Sequence, residues 1–306
     1  MDDKKIIFVA GATGAQGGAV IDALEGSDFA LRALVRDPSS PSAQALAARG
    51  VELVNGDFDD ADSLKRGVDG AYGVFSVQTP PSAQDSESEA RMARKLVEAA
   101  RNADVQVFVH TSVARAGDHE DFVGWAERRW WPAYWINKDL ANTAVRESGL
   151  PHWVILKPGY MMDNLIAPKS YWMYPGLKPR AAIETAMDAD RRLDFVAAAD
   201  IGRFAAAAFA NPLRFDRQEI DLAAESLTMA EVAAIVSQVT GRHVDVRHYT
   251  PEEAASIGNN PGLTESQQWA NVEGYQVDVE KAKCRGIELE RLADWAKRMR
   301  SRFDID

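Results

Sequence analysis

The chain has 306 residues, enough for one large domain or two modest ones with a sizeable core. Hydrophobic residues make up 46% and charged residues 26%, the balance of a soluble globular protein, and a net charge of -11 argues against general affinity for nucleic acid or anionic membrane. Cys284 is the single cysteine and the five histidines lack zinc-ligand spacing, so neither an internal disulfide nor a metal centre is expected.

The first half alternates short apolar runs with helical patterns. KIIFVAG (5–11) reads as a buried strand and GGAVIDALEG (17–26) as a helix closing at a glycine. ALRALVR (30–36) predicts a second strand, SAQALAARG (42–50) a helix, and VELVNGD (51–57) a third strand. ADSLKRGV (61–68) predicts a helix and GAYGVFSVQ (70–78) a fourth strand. In 86–104, apolar residues at Ala90, Ala93, Leu96, Val97 and Ala100 keep the spacing of an amphipathic helix. VQVFVHTSV (105–113) predicts the fifth strand. WPAYWINKDLANTAVRESG (131–149) predicts a helix with Pro132 near its first position, and PHWVILKPG (151–159) the sixth strand. Repeated βαβ units imply a doubly wound parallel sheet covered by helices on both faces.

After Pro158 the rhythm breaks. Residues 160–180 are aromatic and carry prolines, which suits an irregular excursion. AADIGRFAAAAFANP (198–212) reads as a helix returning to the sheet, and 227–258 as helix, glycine stop, strand and helix. The expected organisation is a dinucleotide-binding domain over 1–158 plus about 195–212, with a smaller C-terminal α/β substrate lobe over 159–194 and 213–306. No apolar run is long enough to cross a membrane and MDDKK leads straight into a strand, so the cytoplasm is the expected location.

Gly11, Gly14 and Gly17 stand between a strand and a helix as G-x-x-G-x-x-G. The first permits a tight turn, the second a close approach of backbone to pyrophosphate, and the third close helix–strand packing. The helix N-terminus adds free N–H groups and a partial positive charge. The second strand ends at Arg36, where a nucleotide without a 2′-phosphate usually meets Asp or Glu. A guanidinium there suits a 2′-phosphate, with Ser39 and Ser40 as added hydroxyl donors, so NADP(H) is favoured and NAD(H) is second choice. Asp37 is expected to point elsewhere. Asp57, closing the third strand, is placed for the adenine end beside Phe58, or else serves as a helix N-cap. Gln78 and Thr79 end the fourth strand and are expected to touch the cofactor.

These segments resemble the NmrA-like family, an atypical branch of the short-chain dehydrogenase/reductases. The likeness runs through VAGATGAQGG, LVRDP, VELVNGDFDD, ESGLPHWVILKPGYMMDNL, ADIGRFAAAAF and LTMAEVAAIVSQVTGR, nearly the whole chain. Its most specific marks are T-G-x-Q-G-G, which here comprises Thr13, Gly14, Ala15, Gln16, Gly17 and Gly18, and the strand ILKPGYMMDN. The resemblance implies a Rossmann fold binding NAD(P), usually the phosphorylated form. It leaves function divided between reductases and nucleotide-binding sensors or regulators that act through protein partners. Lys157 stands before Pro158 where the family commonly has arginine.

Tyr134 and Lys138 are four apart on one helix face, the Y-x-x-x-K pair of short-chain reductases. An ammonium nearby is expected to favour the phenolate, letting Tyr134 act as acid at a substrate carbonyl while Lys138 also holds the nicotinamide ribose. Ser112, with Thr111 as substitute, is placed to bond the same oxygen. The other reading makes Tyr134 an aromatic wall residue. Trp131, Trp135, Met161 and Trp172 are expected to line an apolar substrate pocket, with Tyr160 and Asn164 near the nicotinamide. The acidic run DSESEA reads as a helix start complementing the dipole. Nucleophile-elbow, zincin and P-loop motifs are absent. The leading reading is an NADPH-dependent reductase of a small apolar carbonyl or activated double bond, working as a monomer or homodimer. The rival readings are an NADP(H)-sensing regulator with a protein partner and a structural accessory subunit that carries the nucleotide for stability.

Overall fold

The computed structural model describes residues 4–306. In chain order they form β1 (Lys5–Val9), α1 (Ala15–Leu24), β2 (Phe29–Val35), α2 (Pro41–Ala48), β3 (Glu52–Asn55), α3 (Ala61–Val68) and β4 (Ala71–Ser76). Next come α4 (Ser88–Asn102), β5 (Val107–Thr111), α5 (Pro132–Arg146), β6 (His152–Pro158) and β7 (Tyr160–Met161). The excursion holds the short helices α6 (Ser170–Met173) and α7 (Leu177–Arg180), then β8 (Ala182–Thr185) and β9 (Arg192–Val196). After α8 (Ala198–Ala210) and α9 (Pro212–Phe215) follow β10 (Gln218–Leu222), β11 (Glu225–Thr228), α10 (Met229–Thr240) and β12 (Asp245–His248). The chain closes with α11 (Pro251–Ser256), α12 (Pro261–Val272), α13 (Val279–Lys283) and α14 (Leu292–Arg298).

Two compact units result. The first takes the chain up to His119 together with Trp131–Lys157 and Ala198–Asp221. Its seven-stranded sheet has the order β10-β6-β5-β4-β1-β2-β3, with β1 paired in parallel to both β2 and β4. The strand order therefore reverses at β1 and β4, and the crevice beyond the carboxyl ends of these strands is where such sheets take ligands. The apolar run of β1 is buried on both faces. Phe8 enters a cluster with Leu64 and Val68 of α3, Leu96 of α4 and Val145 of α5. Ile7, its neighbour, points the other way and meets Phe209 of α8 over Gly73, where a Cβ would stand 2.7 Å from the Phe209 ring. Each such fully buried side chain contributes roughly 2 kcal/mol.

Local chemistry sets the helix starts. Ser40 caps α2 ahead of Pro41, and Asp60 caps α3 by accepting from Asp62 and Ser63. α8 lies against α1 so closely that a Cβ on Gly202 would come 2.2 Å from the Ala19 carbonyl oxygen. The strand β10 is an element the pattern did not reveal: QEIDL is half polar because it lies at the sheet edge and buries only Ile220 and Leu222.

The second unit comprises Glu120–Trp130, Pro158–Ala197 and Leu222–Asp306. It holds a three-stranded sheet, β11-β9-β7, and a parallel pair, β12-β8. α10 begins with a capping box, Thr228 with Glu231, and stops at Gly241 with φ +74°. Buried Glu184 on β8 is bracketed by Arg180 and Arg247.

Candidate functional site

Gly11 adopts φ +64°, and a Cβ there would stand 2.6 Å from Val77 Cγ1. A Cβ on Gly17 would stand 2.3 Å from the Gly11 carbonyl oxygen, so the turn closes on the helix with no room for a side chain. Gly14 is the N-cap of α1 and supplies no side-chain cap. The first-turn amides of Ala15, Gln16 and Gly17 thus have neither a preceding helical carbonyl nor a capping oxygen, and the exposed Thr13 stands at the same rim. Free main-chain amides at a helix start of this kind have the chemistry that favours an anion.

The neighbouring strand ends complete the rim. Thr111 donates from Oγ1 to Gln16 Oε1 at 2.7 Å, tying the end of β5 to the first turn of α1. Beyond β4, Gln78 donates from Nε2 to Ser76 Oγ, which in turn lies 3.1 Å from His110 Nδ1. Burial pushes His110 down to about 3, with the Lys138 charge adding to the effect, so the ring is neutral. Gln78 Oε1 and Ser112 Oγ are buried without a hydrogen-bond partner among the described residues. Polar atoms of this kind are scarce in folded proteins and mark places where a ligand or water completes the bonding. Thr79 is exposed just past them.

At the adenine end, Arg36 is exposed and makes no ion pair or hydrogen bond among the described residues, while Asp37 accepts from Ser39 N at 2.8 Å and Ser39 Oγ at 2.6 Å. Asp37 is therefore occupied within its own turn. The same bonds correct the expectation for the serines: Ser39 gives its hydroxyl to Asp37, and Ser40 donates to the Asp37 carbonyl while capping α2. Neither hydroxyl is free to donate. Asp57 accepts from the amides of Asp59 and Asp60, so it fixes the turn; the N-cap of α3 is Asp60. Phe58 packs beside the core cluster of the first unit.

On α5, Pro132 starts the helix and puts Tyr134 in its first turn. The Lys138 ammonium lies 5.6 Å from the centroid of the half-buried Tyr134 ring, and Trp135 meets that ring edge-on at 5.1 Å. Lys138 Nζ also donates to Glu89 Oε1 at 2.5 Å, with the two side chains 9% and 2% exposed. This pair corrects the expected electrostatics. Burial raises the Tyr134 pKa, Lys138 opposes the rise and Glu89 reinforces it, so the phenol is held neutral rather than driven to phenolate. Burial works against the Lys138 ammonium, but Glu89 prevails and holds its pKa above the ordinary lysine value. Burial also raises Glu89, against the pull of Lys138.

Glu89 is the residue that sequence reasoning missed. It sits at the second position of α4, where an acidic side chain ordinarily faces solvent and complements the dipole. A signal was present: Glu89, Ala93, Leu96 and Ala100 recur on one helical stripe, so the carboxylate lies in phase with the buried face. Asn137 was also missed. Its Oδ1 accepts from the Ala90 amide and its Nδ2 donates to the carbonyls of Ser86 and Ala133, bolting α5 to the start of α4 beside Glu89.

The remaining expected residues divide between the units. In the first, Trp131 is 39% exposed and Trp135 is buried at 5%, which makes Trp135 a core residue rather than an open wall. In the second, the Tyr160 hydroxyl lies 2.7 Å from that of Tyr174, and Asn164 also bonds to it. Burial holds Tyr160 well above the ordinary phenol value, which keeps it neutral. Met161 is half-buried and Trp172 is exposed. No group of residues arranged to hold a metal ion occurs among the described residues, and none of their helices is long and apolar enough to cross a membrane.

A parallel sheet reversing at β1 and β4, with an uncapped helix behind a glycine turn, defines a Rossmann-type dinucleotide-binding fold. The NmrA-like family model matches residues 3–296, and the chain belongs to that family. It is 28% identical over 263 residues to the NAD(P)H azoreductase of Xenophilus azovorans, covering 85% of this chain and 83% of that protein. Among solved structures, the negative transcriptional regulator NmrA in complex with NADP superposes with a TM-score of 0.76 at 22% identity, covering 96% of this chain and 94% of the other. The Citrobacter sp. triphenylmethane reductase complexed with NADP(H) superposes with a TM-score of 0.74 at 21% identity, over 96% and 99% of the two chains. At these identities the structural likenesses establish the fold.

Proposed function

We propose that the chain binds NADP(H) across the α1 turn and works as an NADPH-dependent reductase of a small apolar carbonyl or activated double bond. The observation that carries this is the side-chain-free cradle of Gly11, Gly14 and Gly17, whose uncapped amides suit a diphosphate. Arg36 stands unengaged to meet a 2′-phosphate, and Gln78 Oε1 and Ser112 Oγ supply unmatched polar atoms at the strand ends. Names of relatives support the class: one is an NAD(P)H azoreductase, and a structural neighbour is a triphenylmethane reductase.

Bound nicotinamide would supply the hydride. Lys138 would hold the ribose side as a fixed cation, and Ser112 and Tyr134 would donate to the substrate oxygen. A neutral phenol suits reduction, because the proton must be present before a negative charge develops on that oxygen. It suits oxidation poorly, since that direction needs the phenolate as base. The test is NADPH turnover on a panel of quinones, azo dyes and small aromatic ketones, followed by absorbance. Tyr134→Phe should cut kcat by roughly 100-fold and leave nucleotide affinity within about threefold. Full turnover in the phenylalanine variant removes Tyr134 from the chemistry.

A second reading, a nucleotide-binding regulator acting through a protein partner, draws on one feature of the site. The Lys138 charge is already matched by Glu89, as suits a structural ion pair that binds without driving chemistry. A chain that binds NADPH tightly yet oxidises it with no member of the panel would favour that reading.

A further inference from the structure

The Lys138–Glu89 pair is deeply buried for a surface-derived helix, and its geometry is one-sided. Glu89 gives one oxygen to Lys138 at 2.5 Å, while Oε2 is buried without a hydrogen-bond partner among the described residues. Lys138 has three N–H donors and spends one of them on Glu89. Asn137, one residue earlier on α5, clamps the α4 start through the Ala90 amide and the Ser86 carbonyl, so the backbone under Glu89 is held in register with Lys138. The ionisable groups around the ammonium are Glu89 from α4, Tyr134 from α5 and His110 from β5. His110 is neutral and Tyr134 is a phenol, which leaves Glu89 as the only one of these groups carrying a negative charge.

We infer that Glu89 is a positioning residue that fixes Lys138 and keeps it cationic, so that Lys138 meets the nucleotide as a permanent charge and not as a proton carrier. This rests on the proposed contact between Lys138 and the nucleotide. Without the carboxylate, a buried ammonium loses its counter-charge and gives up its proton well below the ordinary lysine range, as buried lysines do. Nucleotide affinity then acquires a pH dependence that the native chain lacks. Glu89→Asp retains the charge and shortens its reach by one methylene.

The experiment compares the full chain with Glu89→Gln, Glu89→Asp and Lys138→Ala. NADPH is titrated calorimetrically from about pH 5.5 to about pH 9.5, a window that spans the range in which an unpaired buried lysine changes charge. Native affinity should vary by less than about threefold, Glu89→Gln should lose about tenfold or more toward the alkaline end, and Glu89→Asp should restore a nearly flat profile. In parallel, NMR of the nucleotide-free protein with 13C-labelled lysine follows the ε-carbon resonance that disappears in Lys138→Ala. It should titrate within the window in Glu89→Gln only. An equal affinity loss at every pH with no new titration overturns the inference, as does an unchanged Glu89→Gln profile. If Lys138→Ala binds NADPH like the native chain, the nucleotide contact fails, and the ε-carbon titration still decides whether Glu89 sets the charge. Should Glu89→Gln fail to fold, Glu89→Ser, which also removes the carboxylate and leaves room for water beside the ammonium, takes its place in both measurements: a new ε-carbon titration with a pH-dependent affinity supports the inference, and neither appearing overturns it.

Discussion

Two adjacent glycines in α1 offer a matched test of the cradle. At Gly17, an added Cβ would stand 2.3 Å from Gly11 O, 2.5 Å from Gly11 C and 2.8 Å from Ala12 N. All three are main-chain atoms of the turn, so no side-chain rotation relieves the overlap. Overpacking of this kind costs about 1–3 kcal/mol, and alanine's helical advantage over glycine, about 1 kcal/mol, offsets only part. At Gly18 the same Cβ would rest 3.4 Å from Ala12 O, an ordinary contact, and the helical advantage is unopposed. Gly17→Ala should therefore lose up to about 2 kcal/mol in urea unfolding and at least about tenfold in NADPH affinity by calorimetry. Gly18→Ala should gain up to about 1 kcal/mol and bind within about threefold of the native chain. If Gly17→Ala matched Gly18→Ala in both measurements, the close turn would not be what shapes this site.

Two further outcomes follow from named groups. Arg36→Ala should weaken NADPH by about tenfold or more while NADH changes by less than about threefold, because only the 2′-phosphate loses a charge-assisted partner; equal losses would count against the assignment. His110 has a folded pKa of about 3 against an unfolded 6.5, so the folded chain excludes a proton that the unfolded chain accepts. Its contribution is full above about pH 6.5 and is lost as pH falls toward 3, at about 1.4 kcal/mol per unit. Between about pH 7 and about pH 4, native stability should fall about 3 kcal/mol more than that of His110→Gln, read from urea unfolding; parallel losses would show that His110 is not the group responsible.

Much of the first unit was legible because its signals are local. The run Ile6–Val9 reads as a central strand, the glycine spacing reads as a turn into a helix, and Tyr134 and Lys138 share a face by helical period alone. What escaped depends on contacts distant in sequence or on how a local turn closes. Glu89 finds its meaning 49 residues away at Lys138, and an acidic residue at a helix start has a sufficient local explanation that hides the pairing. Ser39 and Ser40 read as free hydroxyls because the turn that consumes them closes only when Asp37 folds back. β10 escaped because an edge strand needs only half its residues apolar. The aromatic residues of 160–180 showed an excursion but not its bonds, such as the one joining Tyr160 to Tyr174.

In the proposed complex, main-chain amides at the start of α1 bind a dinucleotide diphosphate with Arg36 beside the 2′-phosphate. Calorimetric titration of the intact chain with NADPH measures this directly. Saturable one-to-one binding in the micromolar range, about −8 kcal/mol, is expected, with NADH about tenfold or more weaker. Absence of binding to either nucleotide at roughly millimolar concentration would contradict it.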